Sequence, residues 1–331
     1  FGMIAAGVVL HYRLETEHAK LGHLAQLKRP NPQQQVWMDR FTVRNLELIS
    51  PNAPEAITLL DVIDHTATAM GGRLLRRWIT APLTEIERIN QRLDSVNYFT
   101  LNPRMHEQVG ASLKQMNDVE RLVAKIATGR INPKEVNALK TALAQTTKLT
   151  TLLADAAAVA PLLARIENST EVQEHITRWL SAEAPTQLGK GITIAKGISA
   201  ELDELRTLAQ GGRDTLDAML ERETERTGIP SLKIAFNNVF GYYIEVRNLH
   251  KDKVPEEWVR KQTLVNAERY ITDELKSYET KILGAEERIA VLELQLFQEL
   301  IQHLFPYIQS LQTTAKCVAQ LDVLSGFALL A

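Results

Sequence analysis

Two long segments of this chain repeat an apolar residue at alternating steps of three and four, and no other feature restricts its fold as strongly. In 199–227 the series is Leu202, Leu205, Ala209, Gly212, Leu216 and Met219. From 271 it is Ile271, Leu275, Tyr278, Ile282, Ala285, Ile289, Leu292 and Leu296. A narrow seam sustained over so many turns is the pattern of a long helix paired along one side. At a rise of 1.5 Å per residue, 271–304 spans about 50 Å before Pro306 stops or kinks it. Gly211 and Gly212 each cost the first arm about 1 kcal/mol against alanine, so a bend is expected there. Between the arms the period drops to two. Leu232, Ile234 and Phe236 alternate with Lys233 and Ala235, while Tyr242, Ile244 and Val246 alternate with Tyr243, Glu245 and Arg247. Asn237-Asn238 lies between these runs and tolerates the backbone of a reversal. The expectation is a long helix out, a small antiparallel sheet at its tip and a long helix back.

The remainder reads as helical. A length of 331 residues exceeds one ordinary core, so two structural units are expected. Twelve prolines and sixteen glycines are few for that length, which favours helix over sheet. Residues 4–29 read as one helix, followed by a proline-bearing break at 29–35 and an extended stretch around Val36-Trp37-Met38. Helices then recur at about 60–64, 70–80, 84–101, 103–113, 117–127, 132–154, 158–166 and 170–182, each opened by a Thr, Asp, Asn or Pro signal. Thr84 and Glu87 have capping-box spacing. The predicted fold is mainly α: a multi-helical core with two long antiparallel helices carrying a small antiparallel β insertion. Its boundaries are 1–198 for the helical body, 199–227 for the outward helix, 228–270 for the β-rich tip and 271–331 for the return helix and further core helices.

Charge is uneven along the chain. The formal net charge of −2 gives no global sign of a polyanion partner, so a basic site must be local. Each arm carries −4: eight acidic against four basic residues in 199–227, and seven against three in 271–300. The tip, 228–270, holds Lys233, Arg247, Lys251, Lys253, Arg260, Lys261 and Arg269 against Glu245, Asp252, Glu256, Glu257 and Glu268, an excess of +2. A basic tip on acidic arms attracts a polyanion to the tip and repels it along the shaft. Arg260-Lys261-Gln262-Thr263-Leu264-Val265-Asn266 adds short polar and cationic donors of the kind that hold phosphates and sugars without reading bases. No recognition helix, zinc finger or aromatic platform accompanies them. Tyr242 and Tyr243 are of a type that stacks on bases, but packing into the sheet is the favoured reading for at least one of them.

Catalytic and metal motifs fail on inspection. Gly189-Lys190-Gly191 lacks both the earlier glycine of a phosphate loop, where Ala184 stands, and the Ser or Thr after the lysine. The eight histidines contain no i, i+4 pair, and the single cysteine, Cys317, cannot build a zinc site or an intrachain disulfide. That cysteine sits among apolar residues as a buried, inert thiol. Gly71-Gly72-Arg73-Leu74-Leu75-Arg76-Arg77-Trp78 clusters three arginines, but Leu74, Leu75 and Trp78 fall on one helix face, so a core-facing helix with solvated arginines is expected. No apolar run approaches the roughly 20 residues that span a bilayer, and the segment from Phe1 to Leu10 lacks the basic start of a signal peptide. No membrane association is expected.

Read in order, the stretches 39–48, 68–78, 88–96, 118–122, 201–206 and 226–229 resemble the MutS family of DNA mismatch-repair proteins. The most specific carriers are Leu232-Lys233-Ile234-Ala235-Phe236-Asn237, Gly241-Tyr242-Tyr243-Ile244-Glu245-Val246 and Gln262-Thr263-Leu264-Val265-Asn266-Ala267-Glu268-Arg269-Tyr270. The resemblance implies that 1–198 and 271–331 are connector, core and lever helices and that the β tip is a clamp on the backbone of double-stranded DNA. It carries over Lys233, Asn237, Asn238, Arg260, Lys261, Thr263 and Asn266 as DNA contacts. Val265 departs from it, standing where relatives often have lysine. It also implies a mismatch reader ahead of Phe1 and an ATPase with its dimerisation surface beyond Ala331. The stretch by itself is then expected to be a fragment that holds no cofactor, neither ATP nor magnesium, and has no enzymatic activity. A homodimer, a MutL-type repair partner and a bacterial cytosolic location come from the same resemblance. Two alternatives stay open: a helical arm whose tip meets protein, and a MutS relative acting outside mismatch repair.

Overall fold

Short polar side chains start most helices of the first half, because the amides of a first turn have no partner inside the helix. The computed structural model describes residues 2–15, 34–53, 55–237 and 241–331. After α1 (Gly2–Glu15), α2 (Arg40–Asn45) starts on Asp39, which accepts from the Thr42 amide at 2.6 Å. Helix α3 (Leu59–Ile63) starts on a reciprocal box between Thr58 and Asp61, and α4 (Ala69–Thr80) on Thr68. Helices α5 (Ile86–Leu101) and α6 (Pro103–Lys114) follow, the second with proline in its first turn. Asp118 caps α7 (Val119–Ala127), and Asn132 with Glu135 forms a second box at α8 (Pro133–Leu152). Then come α9 (Ala160–Leu163), α10 (Thr170–Trp179) and α11 (Ala200–Thr227). Helix α12 (Asp273–Leu304), a 3-10 turn at Phe305–Tyr307 and α13 (Ile308–Phe327) end the series.

One local expectation changes. The Thr84–Glu87 cap does not form: Glu85 is the N-cap and makes no side-chain bond. The chain is held extended to that point by a bridge between Gln35 and Leu83, with the Thr84 amide donating to the Gln34 carbonyl at 3.2 Å. The expected helix over 4–29 is observed as far as Glu15, and the rest of it lies outside the described residues. Gly211 and Gly212 lie inside an unbroken α11.

By internal packing the chain divides into two units, Phe1–Gln187 with Glu299–Ala331, and Leu188–Gln298. The first unit is built around α13, which is buried nearly all round and packs on α4, α5, α6 and α7. A helix apolar on every face belongs at a centre. Cys317 is fully buried there, and that burial pushes its thiol upward. The one carboxylate on this helix that enters the core, Asp322, is 1% exposed and accepts from the Ala67 and Thr68 amides, both at 2.8 Å, and from the Thr68 hydroxyl. Thr68 in turn accepts from Gly71, so Asp322 anchors the start of α4 from across the core. A Cβ on Gly71 would stand 2.1 Å from the Asp322 carboxylate, which explains the glycine. On the same helix Leu75 is buried as expected, Leu74 and Trp78 are half-buried against its cluster, Ile79 joins the core, and Arg73 is not a solvated cation. Its guanidinium forks onto Asp118 with two bonds of 2.8 Å and reaches Glu120, pinning α4 to α7.

In the second unit the three-four seams are the buried stripes. Leu202 and Met219 of α11 are buried, as are Leu275, Ile282, Ala285 and Leu292 of α12. Arg222 pairs with Glu274 and Arg206 with Glu293, so the two helices run antiparallel. Glu293, 2% exposed, also accepts from the Thr193 amide at 3.0 Å, while Arg206 donates to the Ile194 carbonyl at 2.9 Å. The segment before α11 is thereby tied to both helices. Gly228 ends α11 in the left-handed conformation, at φ 61°. Among the described residues no helix is long and apolar enough to cross a membrane.

Candidate nucleic-acid interface

The β insertion is a four-stranded antiparallel sheet of order β1-β2-β4-β3, with β1 at Lys233–Asn237, β2 at Gly241–Arg247, β3 at Val259–Thr263 and β4 at Ala267–Ile271. A 3-10 segment, Asn248–Lys253, follows β2. The two period-two runs are β1 and β2; β3 and β4 went unpredicted because neither alternates cleanly. One face packs on the helix ends: Ile244, Val246, Trp258 and Tyr270 cluster with Met219, Ile229, Leu232 and Leu275. Tyr242 joins this cluster from its margin and meets Phe236 edge-on. Tyr243, on the other face, is also buried, because the Arg269 guanidinium lies over its ring at 4.3 Å. Neither tyrosine is a bare stacking platform.

Register sorts the seven cations of the insertion. On the outer face one row runs Lys233, Glu245, Arg269, Gln262 across the four strands. Arg269 donates to Glu245 at 3.3 Å and to Gln262 at 2.9 Å, so its charge is spent inside the sheet. Arg260 lies opposite Tyr270 and pairs at 3.4 Å with Glu268. Glu268 also accepts from the Tyr270 hydroxyl, which holds this carboxyl below its ordinary range, with Arg260 and Lys251 adding to the effect. Burial, with the Glu268 carboxylate, pushes the Tyr270 hydroxyl up to about 12. Glu257 is paired with Arg226 of α11. The exposed cations left without an ion pair among the described residues are Lys233, Arg247, Lys251, Lys253 and Lys261. Opposing them are Asp252 and Glu256, so the accessible imbalance is larger than the raw +2.

Lys261 owes its position to a bulge. Arg260 faces Tyr270 and Gln262 faces Arg269, leaving Lys261 as the extra residue between them. The β3–β4 turn is held by the Leu264 amide on the Ala267 carbonyl, at 2.8 Å, and by Asn248, whose side chain donates to the Val265 carbonyl at 2.9 Å. Thr263 and Asn266 are exposed at this end, beside the end of β2 at Arg247. Asn237 lies at the other end, opposite Gly241, and Asn238 lies outside the described residues. Gly241 has φ 76° and a Cβ there would meet the Glu279 carboxylate of α12. From Asn237 to Thr263 is five residue steps along the strands and three strand spacings across. At about 3.4 Å and about 4.8 Å each, the separation is roughly 22 Å. Among the described residues the sequence-derived contacts therefore separate, with Asn237 at one corner of the sheet, Lys261, Thr263 and Asn266 toward the opposite one, and Lys233 on the β1 edge. Arg247, Lys251 and Lys253 enter the set from their exposure, and Asn248 from its grip on the turn. The first three belong to the charge excess visible in the sequence, whereas nothing local marks Asn248.

The features of a catalytic centre do not gather here, and among the described residues no group of three metal-ligating side chains forms. A family model described as MutS domain III matches residues 41–328. The protein named DNA mismatch repair protein MutS in Christiangramia forsetii is 51% identical over 329 residues, covering 99% of this chain and 38% of its own length. Its namesake in Flavobacterium johnsoniae is 49% identical over 328 residues, 98% of this chain and 38% of the relative. The one in Bacteroides thetaiotaomicron is 47% identical over 329 residues, with coverages of 99% and 38%. The chain thus spans about 38% of the length of the curated relatives it matches.

Proposed function

The chain belongs to the MutS family, and from that premise we propose that its β insertion grips the backbone of duplex DNA without reading sequence, as a clamp at the end of two lever helices. The observation that carries this reading is the set of five exposed cations without an ion pair among the described residues of the β insertion, on its sheet and its 3-10 segment, against only two unpaired carboxylates, Asp252 and Glu256. Backbone phosphates supply a sequence-independent partner for such a set. The corner-to-corner span of roughly 22 Å corresponds to about six phosphate spacings of 3.4 Å along one strand. Contacts at both ends then require the sheet to lie along the duplex rather than to touch it at a point.

Mismatch repair, the role named for the relatives, is the pathway in which this grip serves. The levers couple it to an ATPase carried elsewhere in the parent protein, which acts as a cytosolic homodimer with a MutL-type partner. The test is the anisotropy of a fluorescent 20-base-pair homoduplex, titrated with the full chain across ionic strengths. Binding that weakens with salt is expected, and Lys251→Ala with Lys261→Ala lowers the log–log slope by about 1.8, at about 0.9 per lost phosphate contact. Absence of binding at low salt, or a slope unchanged in the double variant, refutes the assignment. A second reading draws on Val265 and Leu249, which are 92% and 84% exposed in the same region and suit a protein partner. Under that reading Val265→Ser and Leu249→Ser abolish association while the salt slope stays flat.

A further inference from the structure

The first unit contains a pocket whose charge the fold leaves unmatched. It has a volume of about 280 Å³ and lies between α5, the α9 region and α13, with Arg88 and Arg92 from α5, Arg165 from just beyond α9 and Gln320 from α13 in its wall. Arg92 lies flat on the Trp78 ring, its guanidinium carbon 3.3 Å from the centroid. Among the described residues no carboxylate lies within ion-pair distance of Arg92 or Arg165, and Arg88 reaches Glu85 only at 3.8 Å. Burial, together with the neighbouring Arg88, pushes Arg92 down to about 10. A half-buried cation normally carries its counter-ion, since desolvation without a partner is costly.

Stacking on Trp78 accounts for the orientation of Arg92. It does not account for the approach of Arg165 and Arg88 from separate elements to the same cavity. Guanidinium forks match the oxygens of phosphate bidentately, and several of them around one space fit more than one phosphoryl group. The wall also contains Asp94, and Glu85 stands 3.8 Å from Arg88, so three guanidinium groups against these two carboxylates leave the pocket net positive and suited to an anion. At about 30 Å³ per water, the space holds roughly nine waters, enough for two phosphoryl groups but not for a duplex. We propose that this pocket is a binding site for a small phosphate-bearing ligand, with a diphosphate as the recognised group. Arg92, fixed in place by its stacking on Trp78, meets the diphosphate from the α5 wall, while Arg88 and Arg165 close on it from the rim.

Calorimetry of the full chain with inorganic pyrophosphate at low ionic strength tests this, with tryptophan fluorescence as a second readout. Saturable one-to-one binding is expected, weakened about tenfold or more by Arg165→Ala and again by Arg88→Ala, each of which removes a charge-assisted bond. Both side chains are exposed, so these variants keep the fold, and circular dichroism checks that they do. No saturable binding, or affinity unchanged in the Arg88→Ala, Arg165→Ala double variant, overturns the proposal. Orthophosphate binding as tightly as pyrophosphate overturns the diphosphate assignment. Displacement of pyrophosphate by hexaglutamate or by a DNA duplex at equal charge overturns the small-ligand reading in favour of a carboxylate or a nucleic-acid backbone.

Discussion

Replacing Glu293 by glutamine tests whether the helix pair of the second unit is locked by charge or only by its apolar seam. Glu293 is 2% exposed and serves both the Thr193 amide and the Arg206 guanidinium, whose side chain is 16% exposed. Removing the negative charge leaves Arg206 buried with the Ile194 carbonyl and, at 3.7 Å, Asp203. Breaking one side of a buried pair costs about 3–5 kcal/mol, and Asp203 as a substitute partner places this case near the lower figure, about 3 kcal/mol. Hydrogen exchange followed by mass spectrometry reads the change locally: amides of 193–206 and of α12 around 293 should exchange roughly a hundredfold faster, at about 1.4 kcal/mol per factor of ten. Arg206→Met should cost a similar amount, since it strands Glu293. The double variant Arg206→Met with Glu293→Leu should recover part of the loss, because an apolar pair of similar volume carries no charge-desolvation penalty while still leaving the Thr193 amide and the Ile194 carbonyl without their side-chain partners. Single variants that slow exchange or leave it within twofold refute the argument, as does a double variant that costs the sum of the two.

Gly241→Ala should destabilise the second unit by about 1–3 kcal/mol, because its φ of 76° strains any residue with a Cβ. Urea unfolding measures this, and the loss should persist in a Glu279→Ala background, which removes the clash but not the backbone strain. Arg73→Ala should cost about 1–2 kcal/mol in urea by freeing α4 from α7, with the partial exposure of Arg73 keeping it below a fully buried pair. Asp322 is held above the ordinary carboxylate range, chiefly by burial, despite the donors of Ala67 and Thr68. A group whose folded value is raised binds protons more readily when folded, so its contribution to stability grows as pH falls through that value and is lost as pH rises. The stability deficit of Asp322→Asn against the wild type should therefore widen between neutral pH and pH 4, and a deficit that narrows contradicts the shift.

Much of the architecture was legible because the repeating pattern itself is the physical cause. The three-four seams of α11 and α12 are apolar for the reason that those faces are buried, and polar caps open α3, α4, α7 and α8 where the chain needs first-turn acceptors. Two strands lack a period-two signal: β3, Val-Arg-Lys-Gln-Thr, is an edge strand with most of its side chains in solvent, so burial imposes no alternation on it, and β4, Ala-Glu-Arg-Tyr-Ile, is covered on both faces and carries Glu268 and Arg269 in paired positions. Arg73 was misread for a related reason, since its partners Asp118 and Glu120 are some forty-five residues away and local spacing cannot reveal them.

The same limit governs the candidate interface. A sequence yields the number of charges in the insertion, but which of them face solvent unpaired depends on strand register. Were β3 to pair with β4 without its bulge, Lys261 rather than Gln262 would stand opposite Arg269, and like charges would meet in place of the present hydrogen bond. The extra residue removes that conflict. It leaves Arg260 beside Glu268, gives Arg269 the Gln262 side-chain oxygen, and frees Lys261 to project from the edge. Equal as they are in composition, Arg260 and Lys261 then have different roles, the first tying the sheet together and the second offering charge to a partner. Comparing Arg260→Ala with Lys261→Ala isolates that difference: the salt slope of DNA binding should fall by about 0.9 for Lys261 and stay nearly unchanged for Arg260. Equal falls in both would mean that the bulge does not decide which cation meets phosphate.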